Sequence, residues 1–123
     1  MAFEIKTDEN GDKYLEDVDT NIIFRVNKTR LRGRGAPDIF DIVTLDGIIE
    51  LDAFSDLIQN DDGSSEVIWH VDRLFVPAKL LITNEEAFSI VANALKAYKF
   101  NFNDRFSVKE IFPNSQNYDN YIL

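Results

Sequence analysis

The chain has 123 residues, of which 45% are hydrophobic and none is cysteine, and 13 basic against 22 acidic residues give a formal net charge of −9. This length and composition predict a single domain over residues 1–123 with a hydrophobic core, and they exclude global disorder, disulfide bonds and a thiolate zinc site. The negative charge makes nucleic acid and anionic membranes unfavourable partners, whereas it favours a cationic partner.

The N-terminal segment predicts a β-hairpin. The residues from Phe3 to Thr7 alternate between apolar and polar side chains, which is the period of a strand. Asn10-Gly11 follows and favours a two-residue type I′ turn, because both residue types tolerate positive φ. Such a turn places Phe3 opposite Val18.

The stretch from Asp8 to Asp19 also has acidic side chains near the spacing of a calcium loop. We interpret it as a turn, because a calcium loop needs glycine at its sixth position, which is Lys13 here. Asp19 at the twelfth position is shorter than the usual bidentate glutamate, and the strand-like residues before Asp8 leave no entering helix. We therefore expect no metal site.

A basic cluster accompanies the predicted strand over residues 20–26 and the loop after it, which Gly33, Gly35 and Pro37 indicate. The cluster consists of Arg25, Lys28, Arg30, Arg32 and Arg34. One interpretation is a site for RNA or another polyanion, since arginine forms bidentate contacts with phosphate. The other is a solvated loop whose cations pair with the protein's own acids. Without an RNA-binding motif, nucleic acid is the less favoured partner.

Residues 39–45 and 48–51 flank Asp46-Gly47 and predict a second hairpin. The next apolar residues have helical spacing and predict a short helix: Phe54, Leu57 and Ile58. Acids are dense in this region, namely Asp46, Glu50, Asp52, Asp56, Asp61, Asp62 and Glu66. They predict either a solvated face or an anionic patch that binds a basic protein partner.

A strand is predicted over residues 66–71, and further extended chain over residues 74–76 and 80–82 on either side of Pro77. This strand contains His70, the only histidine. With Asp72 beside it, His70 could be the general base of a small hydrolase, although a structural histidine is the simpler interpretation. No serine or threonine can be assigned as a nucleophile, so we expect a protein that is not an enzyme. A single histidine without cysteine also makes zinc improbable, and no cofactor is expected.

The principal helix is predicted over residues 84–99. Thr83 and Glu86 fit a capping box, and Lys96 and Lys99 suit the negative end of the helix dipole. The apolar face consists of Ala87, Phe88, Ile90, Val91, Ala94, Leu95 and Tyr98. After it, Ser107 and Glu110 predict a short helical turn, and Tyr118, Tyr121 and Ile122 are candidates for docking of the tail. These elements predict an α+β fold, a mostly antiparallel β-sheet with the helix packed on one face.

The segment from Leu74 to Lys99, LFVPAKLLITNEEAFSIVANALKAYK, resembles small immunity proteins of bacterial polymorphic-toxin and contact-dependent growth inhibition systems. Several of those proteins follow a Val-Pro segment with a capped helix that begins at a Glu-Glu-Ala step. The corresponding residues here are Val76-Pro77 and Glu85-Glu86-Ala87. The tryptophan-bearing strand that some such families place after the helix is missing.

The resemblance implies a cytoplasmic immunity protein that binds and neutralises a cognate toxin domain, for instance a basic nuclease. The acids between Asp46 and Glu66 would then face the toxin's cationic cleft. A cytoplasmic location also agrees with the N-terminal residues, which lack the basic-then-apolar order of a secretory signal. No apolar segment approaches the roughly 20 residues that cross a bilayer, so no membrane association is expected. Two alternatives stay open: a regulatory module that binds RNA through the basic cluster, and a hydrolase that uses His70.

Overall fold

Alternating apolar residues separated by short turns fold most of the chain into an antiparallel meander. The computed structural model describes residues 2–29 and 35–114. The strands of the meander are β1 (Phe3–Thr7), β2 (Lys13–Asp17), β3 (Ile22–Val26), β4 (Asp38–Thr44), β5 (Gly47–Gln59) and β6 (Ser65–Phe75). Each strand pairs with the next one in the sequence, so the order in the sheet is the order in the chain.

A seventh strand, β7 (Phe106–Pro113), pairs with β6 in parallel. A parallel pair needs a crossover connection, and the helix α1 (Asn84–Phe102) provides it. The predicted α+β class, with a mostly antiparallel sheet and one principal helix, is confirmed.

The sheet has an inner face that packs against α1 and an outer face on the opposite side. The large buried side chains of the inner face include Leu15, Phe24, Phe40, Ile42, Leu51 and Trp69, and α1 adds Ala87, Val91, Ala94 and Leu95 to the same cluster. Because α1 contacts β7 at one edge of the sheet and β1 and β2 at the other, the sheet curls around the helix.

The helix begins as predicted, since the Thr83 hydroxyl accepts a hydrogen bond of 3.1 Å from the backbone N–H of Glu86. It continues to Phe102, three residues beyond the predicted end. The Phe102 ring lies 5.0 Å from that of Tyr98, and no glycine or proline interrupts the segment. Packing of the last turn against Tyr98 therefore extends the helix past Lys99.

The first hairpin has a longer turn than predicted. The N–H of Asp8 donates to the carbonyl of Asp12, and the N–H of Gly11 donates to the carbonyl of Asp8. Gly11 has φ +84°, whereas Asn10 does not have positive φ. This is a three-residue loop with a bulge at glycine. The Asp8 carboxylate favours it by accepting two backbone N–H groups, those of Asn10 and Asp12, each at 2.9 Å.

The wider loop shifts the pairing by one residue, so that Phe3 lies opposite Asp17 and not Val18. The stretch from Asp8 to Asp19 therefore forms a turn and the strand β2, in agreement with the interpretation as a turn. Asp17, the last residue of β2, is buried, and its Oδ1 accepts the N–H of Asp19 at 2.9 Å.

Three other expectations were wrong. The residues with helical spacing at 54–58 lie in β5, which pairs with β6 residue by residue, and this pairing overrides the local pattern. The predicted helical turn at residues 107–110 is part of β7, because Ser107, Val108 and Glu110 pair with consecutive residues of β6. Of the segments predicted as extended, residues 74–76 continue β6 as expected, whereas Leu80 ends a 3₁₀ turn over Ala78–Leu80 and Leu81 is left-handed with φ +48°. The tail residues Tyr118, Tyr121 and Ile122 lie outside the described residues.

Candidate functional site

The outer face of the sheet carries an aromatic row across β5, β6 and β7, formed by Phe54, His70 and Phe112. Phe54 lies opposite His70, and His70 lies opposite Phe112. The rings of His70 and Phe112 are stacked, with centroids 6.0 Å apart and planes 23° apart. Phe54 is 38% exposed and Phe112 is 44% exposed. Rings that are exposed next to one another form a contiguous apolar surface, and such surfaces often mark a binding site.

The alternation of each strand explains why these rings face outwards. On β6, Trp69 and Val71 are fully buried in the core, so His70 between them must point to the outer face. On β7, Ile111 packs against the core, which turns Phe112 outwards.

Carboxylates flank the aromatic row. In the next row of the sheet, Asp56 of β5 lies opposite Ile68, and Ile68 lies opposite Glu110 of β7. The Oδ2 atom of Asp56 is 3.1 Å from Nε2 of His70, and the two side chains are 70% and 44% exposed. The outer face of β5–β7 thus combines half-exposed rings with exposed acids.

His70 is therefore oriented by Asp56 on the neighbouring strand and not by Asp72, which was expected from the sequence. The pairing register between β5 and β6 shifts between Asp52 and Ala53, whose partners are Arg73 and Val71. Asp72 falls in this irregularity. Its Oδ1 accepts a hydrogen bond of 3.1 Å from the side-chain amide of Asn114.

The seven predicted acids lie in three separate places. Asp46 is in the turn between β4 and β5, Asp61 and Asp62 are in the turn between β5 and β6, and the other four, Glu50, Asp52, Asp56 and Glu66, are on the outer face. Because β5 has 13 residues that rise about 3.3 Å each, its two turns are separated by about 40 Å along the strand. The acids do not form one continuous patch.

Two of these acids, Asp52 and Asp62, interact with neighbouring parts of the protein itself. Asp52 is only 5% exposed and lies opposite Arg73, so it is not part of the exposed surface as predicted. Asp62 stabilises its own turn, because its carboxylate accepts hydrogen bonds from the hydroxyl and the backbone N–H of Ser64. These hydrogen bonds lower the pKa of Asp62 below its ordinary value.

Two members of the basic cluster, Arg25 and Lys28, lie within the described residues, and each of them pairs with an acid of the protein. Nε of Arg25 is 3.5 Å from Oδ2 of Asp41, and Nζ of Lys28 forms an ion pair with Asp12. The remaining three members, Arg30, Arg32 and Arg34, lie outside the described residues.

A recess of about 630 Å³ lies between the first hairpin loop, the end of β3 and the end of α1. Its lining contains three cations, Lys13, Arg25 and Lys28, and three acids, Asp8, Asp12 and Asp41. Equal numbers of opposite charges give no net attraction for a polyanion. The second recess, of about 460 Å³, lies between α1, Phe3 and Val108.

Neither of these two recesses is lined by His70, and the His70 and Asp56 side chains are 44% and 70% exposed to water on the outer face. Within residues 2–29 and 35–114, no three histidine or carboxylate side chains are grouped so that they could hold a metal ion. In the same described ranges, no helix has the length and apolar character needed to cross a membrane.

Comparisons of the chain with protein-family models, with curated proteins and with solved structures gave no match.

Sequence reasoning identified Asp56 and His70 but missed Phe54, Phe112 and Glu110 as members of one surface. Phe54 was assigned to a helix, and the β7 residues were assigned to a helical turn. The alternation of apolar and polar residues from Phe106 to Lys109 was a strand signal that could have located β7.

Proposed function

We propose that this protein is an immunity protein without catalytic activity, which binds and neutralises a basic toxin domain through the outer face of β5–β7. The observation on which the proposal depends is the half-exposed aromatic row with carboxylates beside it. Aromatic side chains supply much of the binding energy at protein interfaces, and they concentrate at the centre of the contact. The flanking acids suit a cationic partner.

The charge of the whole chain supports the same partner. Its formal net charge of −9 accelerates the encounter with a basic protein, and this acceleration weakens as salt screens the field. A nuclease is a basic protein of the required kind, because it must attract the phosphates of its substrate. The resemblance of residues 74–99 to immunity proteins supports the toxin as the class of partner.

The first experiment tests neutralisation. The genes adjacent to this protein's gene are searched for a toxin domain, which is then expressed in bacteria with and without the protein while growth is measured. We expect growth to be restored only when the protein is present. If the toxin domain kills equally well in both strains, the proposed function is wrong.

The second experiment tests the surface by association kinetics. Asp56→Lys with Glu66→Lys reverses two acids of the outer face, and we expect the on-rate for the toxin domain to fall about tenfold or more at low salt. Glu9→Lys with Asp46→Lys is the control, since it changes the net charge equally at two exposed turn residues. Equal on-rates for the two variants would remove the outer face from the interface.

Reversal of Asp61 and Asp62 tests whether the contact extends to the β5–β6 turn, and an unchanged on-rate would exclude that turn.

A further inference from the structure

We infer that the outer face of β5–β7 recognises an arginine side chain of its partner, whose guanidinium stacks on the aromatic row and pairs with Asp56 and Glu110. This inference rests on the proposed function, because it names the chemical group that the basic partner presents. We infer arginine because the surface is acidic, which favours a cation, and because aromatic rings lie beside the acids.

The spacing of the side chains fits one planar cation. Asp56 and Glu110 are on the two strands that flank β6, in one row of the sheet. Neighbouring strands are about 4.8 Å apart, so the two backbone positions are about 10 Å apart and a single guanidinium can lie between their carboxylates. Ile68, between them on β6, offers an apolar surface to the aliphatic part of the arginine.

The aromatic row distinguishes arginine from lysine. It lies two residues from the carboxylates along β5 and β7, which is about 7 Å. A guanidinium is planar and weakly hydrated, so it stacks on an aromatic ring while it donates hydrogen bonds to a carboxylate. A lysine ammonium is strongly hydrated and satisfies the carboxylates without the rings. An acidic surface alone would not discriminate between the two cations.

His70 is also part of the surface. Its Nε2 atom is 3.1 Å from the Asp56 carboxylate, so the imidazole keeps that carboxylate beside the rings before the partner arrives. The stacking of His70 on Phe112 fixes the imidazole in turn. In the free protein the acceptor for the guanidinium therefore already lies beside the rings.

The experiment titrates the full chain with hexa-arginine and with hexa-lysine, and follows the ring resonances of Phe54 and Phe112 by NMR. We expect the arginine peptide to shift these resonances and to bind about two- to fivefold more tightly than the lysine peptide. Phe112→Leu should abolish the difference between the peptides and leave the affinity for hexa-lysine unchanged. Asp56→Asn should weaken both peptides, whereas Asp46→Asn, the same charge change in the β4–β5 turn, should leave the ring shifts intact.

Equal affinities for the two peptides, or ring resonances that do not respond, would overturn the inference. A shift of these resonances on dilution of the free protein would also overturn it, because a second copy would then cover the face. Failure in this titration leaves the growth assay unaffected, so the arginine inference and the proposed function are tested separately.

Discussion

Nε of Arg25 lies 3.5 Å from Oδ2 of Asp41, which is 11% exposed on the neighbouring strand of the outer face. The side-chain amide of Asn27 donates to the other oxygen of the same carboxylate at 3.1 Å. Arg25 and Asn27 therefore stabilise a carboxylate that is largely removed from water. Lys28 forms an ion pair with Asp12 of a different kind, since both side chains are well exposed.

Arg25→Ala should lower the free energy of unfolding by about 1–2 kcal/mol, because it removes one of the two partners that the Asp41 carboxylate has among the described residues. Lys28→Ala removes the same charge from an exposed pair and should change the free energy by less than about 0.5 kcal/mol. Urea denaturation of both variants measures the difference. If the two substitutions cost the same, Arg25 has no special structural role and its assignment to a polyanion site becomes more attractive.

Gly47 is required at the start of β5 for two reasons. Its φ is +155°, and a Cβ atom at this position would lie 3.0 Å from Cγ of Pro77. Gly63 also has positive φ, +88°, but a Cβ atom there would have no neighbour within 4 Å. Gly63→Ala should therefore cost about 1–2 kcal/mol from the backbone alone, and Gly47→Ala should cost about 1 kcal/mol more.

Pro77→Ala combined with Gly47→Ala separates the two contributions. The double variant should recover the part of the loss that comes from the contact, so the two substitutions are coupled in a double-mutant cycle. Additive losses would mean that the backbone conformation alone requires glycine at position 47.

The hydrogen bonds from Ser64 to Asp62 predict a pH dependence. They lower the pKa of Asp62 in the folded state, so the stabilisation is fully present above the unfolded pKa of about 4 and is lost as the pH falls through the lower folded value. Ser64→Ala should be less stable than the parent at neutral pH, and the difference in Tm should shrink as the pH falls below about 4. Ser89→Ala, an exposed serine on α1, should show a difference that does not depend on pH. A constant difference for Ser64→Ala would show that the carboxylate is not involved.

We expect α1 to stabilise the core and not to contact the binding partner. Leu95 is fully buried, and Leu95→Ala should lower the free energy of unfolding by about 2–5 kcal/mol, while the folded fraction binds hexa-arginine with unchanged affinity. Phe100→Ala is the matched control, because Phe100 is on the same helix and is 69% exposed. It should leave the stability nearly unchanged. A Leu95→Ala variant that keeps its stability and loses binding would identify the helix as the recognition surface.

Elements with a strong local signal were predictable from the sequence. The alternation from Phe3 to Thr7 and the cap at Thr83 depend on neighbours a few residues away, and both are present. The register of the first hairpin was not predictable from Asn10-Gly11, because the Asp8 carboxylate selects a longer loop.

The candidate site was less predictable, because it is assembled from strands that are distant in sequence. His70 and Phe112 become neighbours only through the parallel pairing of β6 with β7. No local pattern specifies that pairing. For the same reason the density of acids between Asp46 and Glu66 did not show that they separate into two turns and one sheet face.

The crossover from β6 to β7 also determines the order in which the chain can complete its core during synthesis. All six antiparallel strands leave the ribosome before α1, and until Phe102 has emerged the inner-face residues Phe24, Phe40 and Trp69 have no helix to cover them. An uncovered sheet of this kind is prone to aggregation and is a substrate for chaperones. We therefore expect nascent chains that stop before Asn84 to be retained by chaperones, and chains that extend through β7 to be released from them.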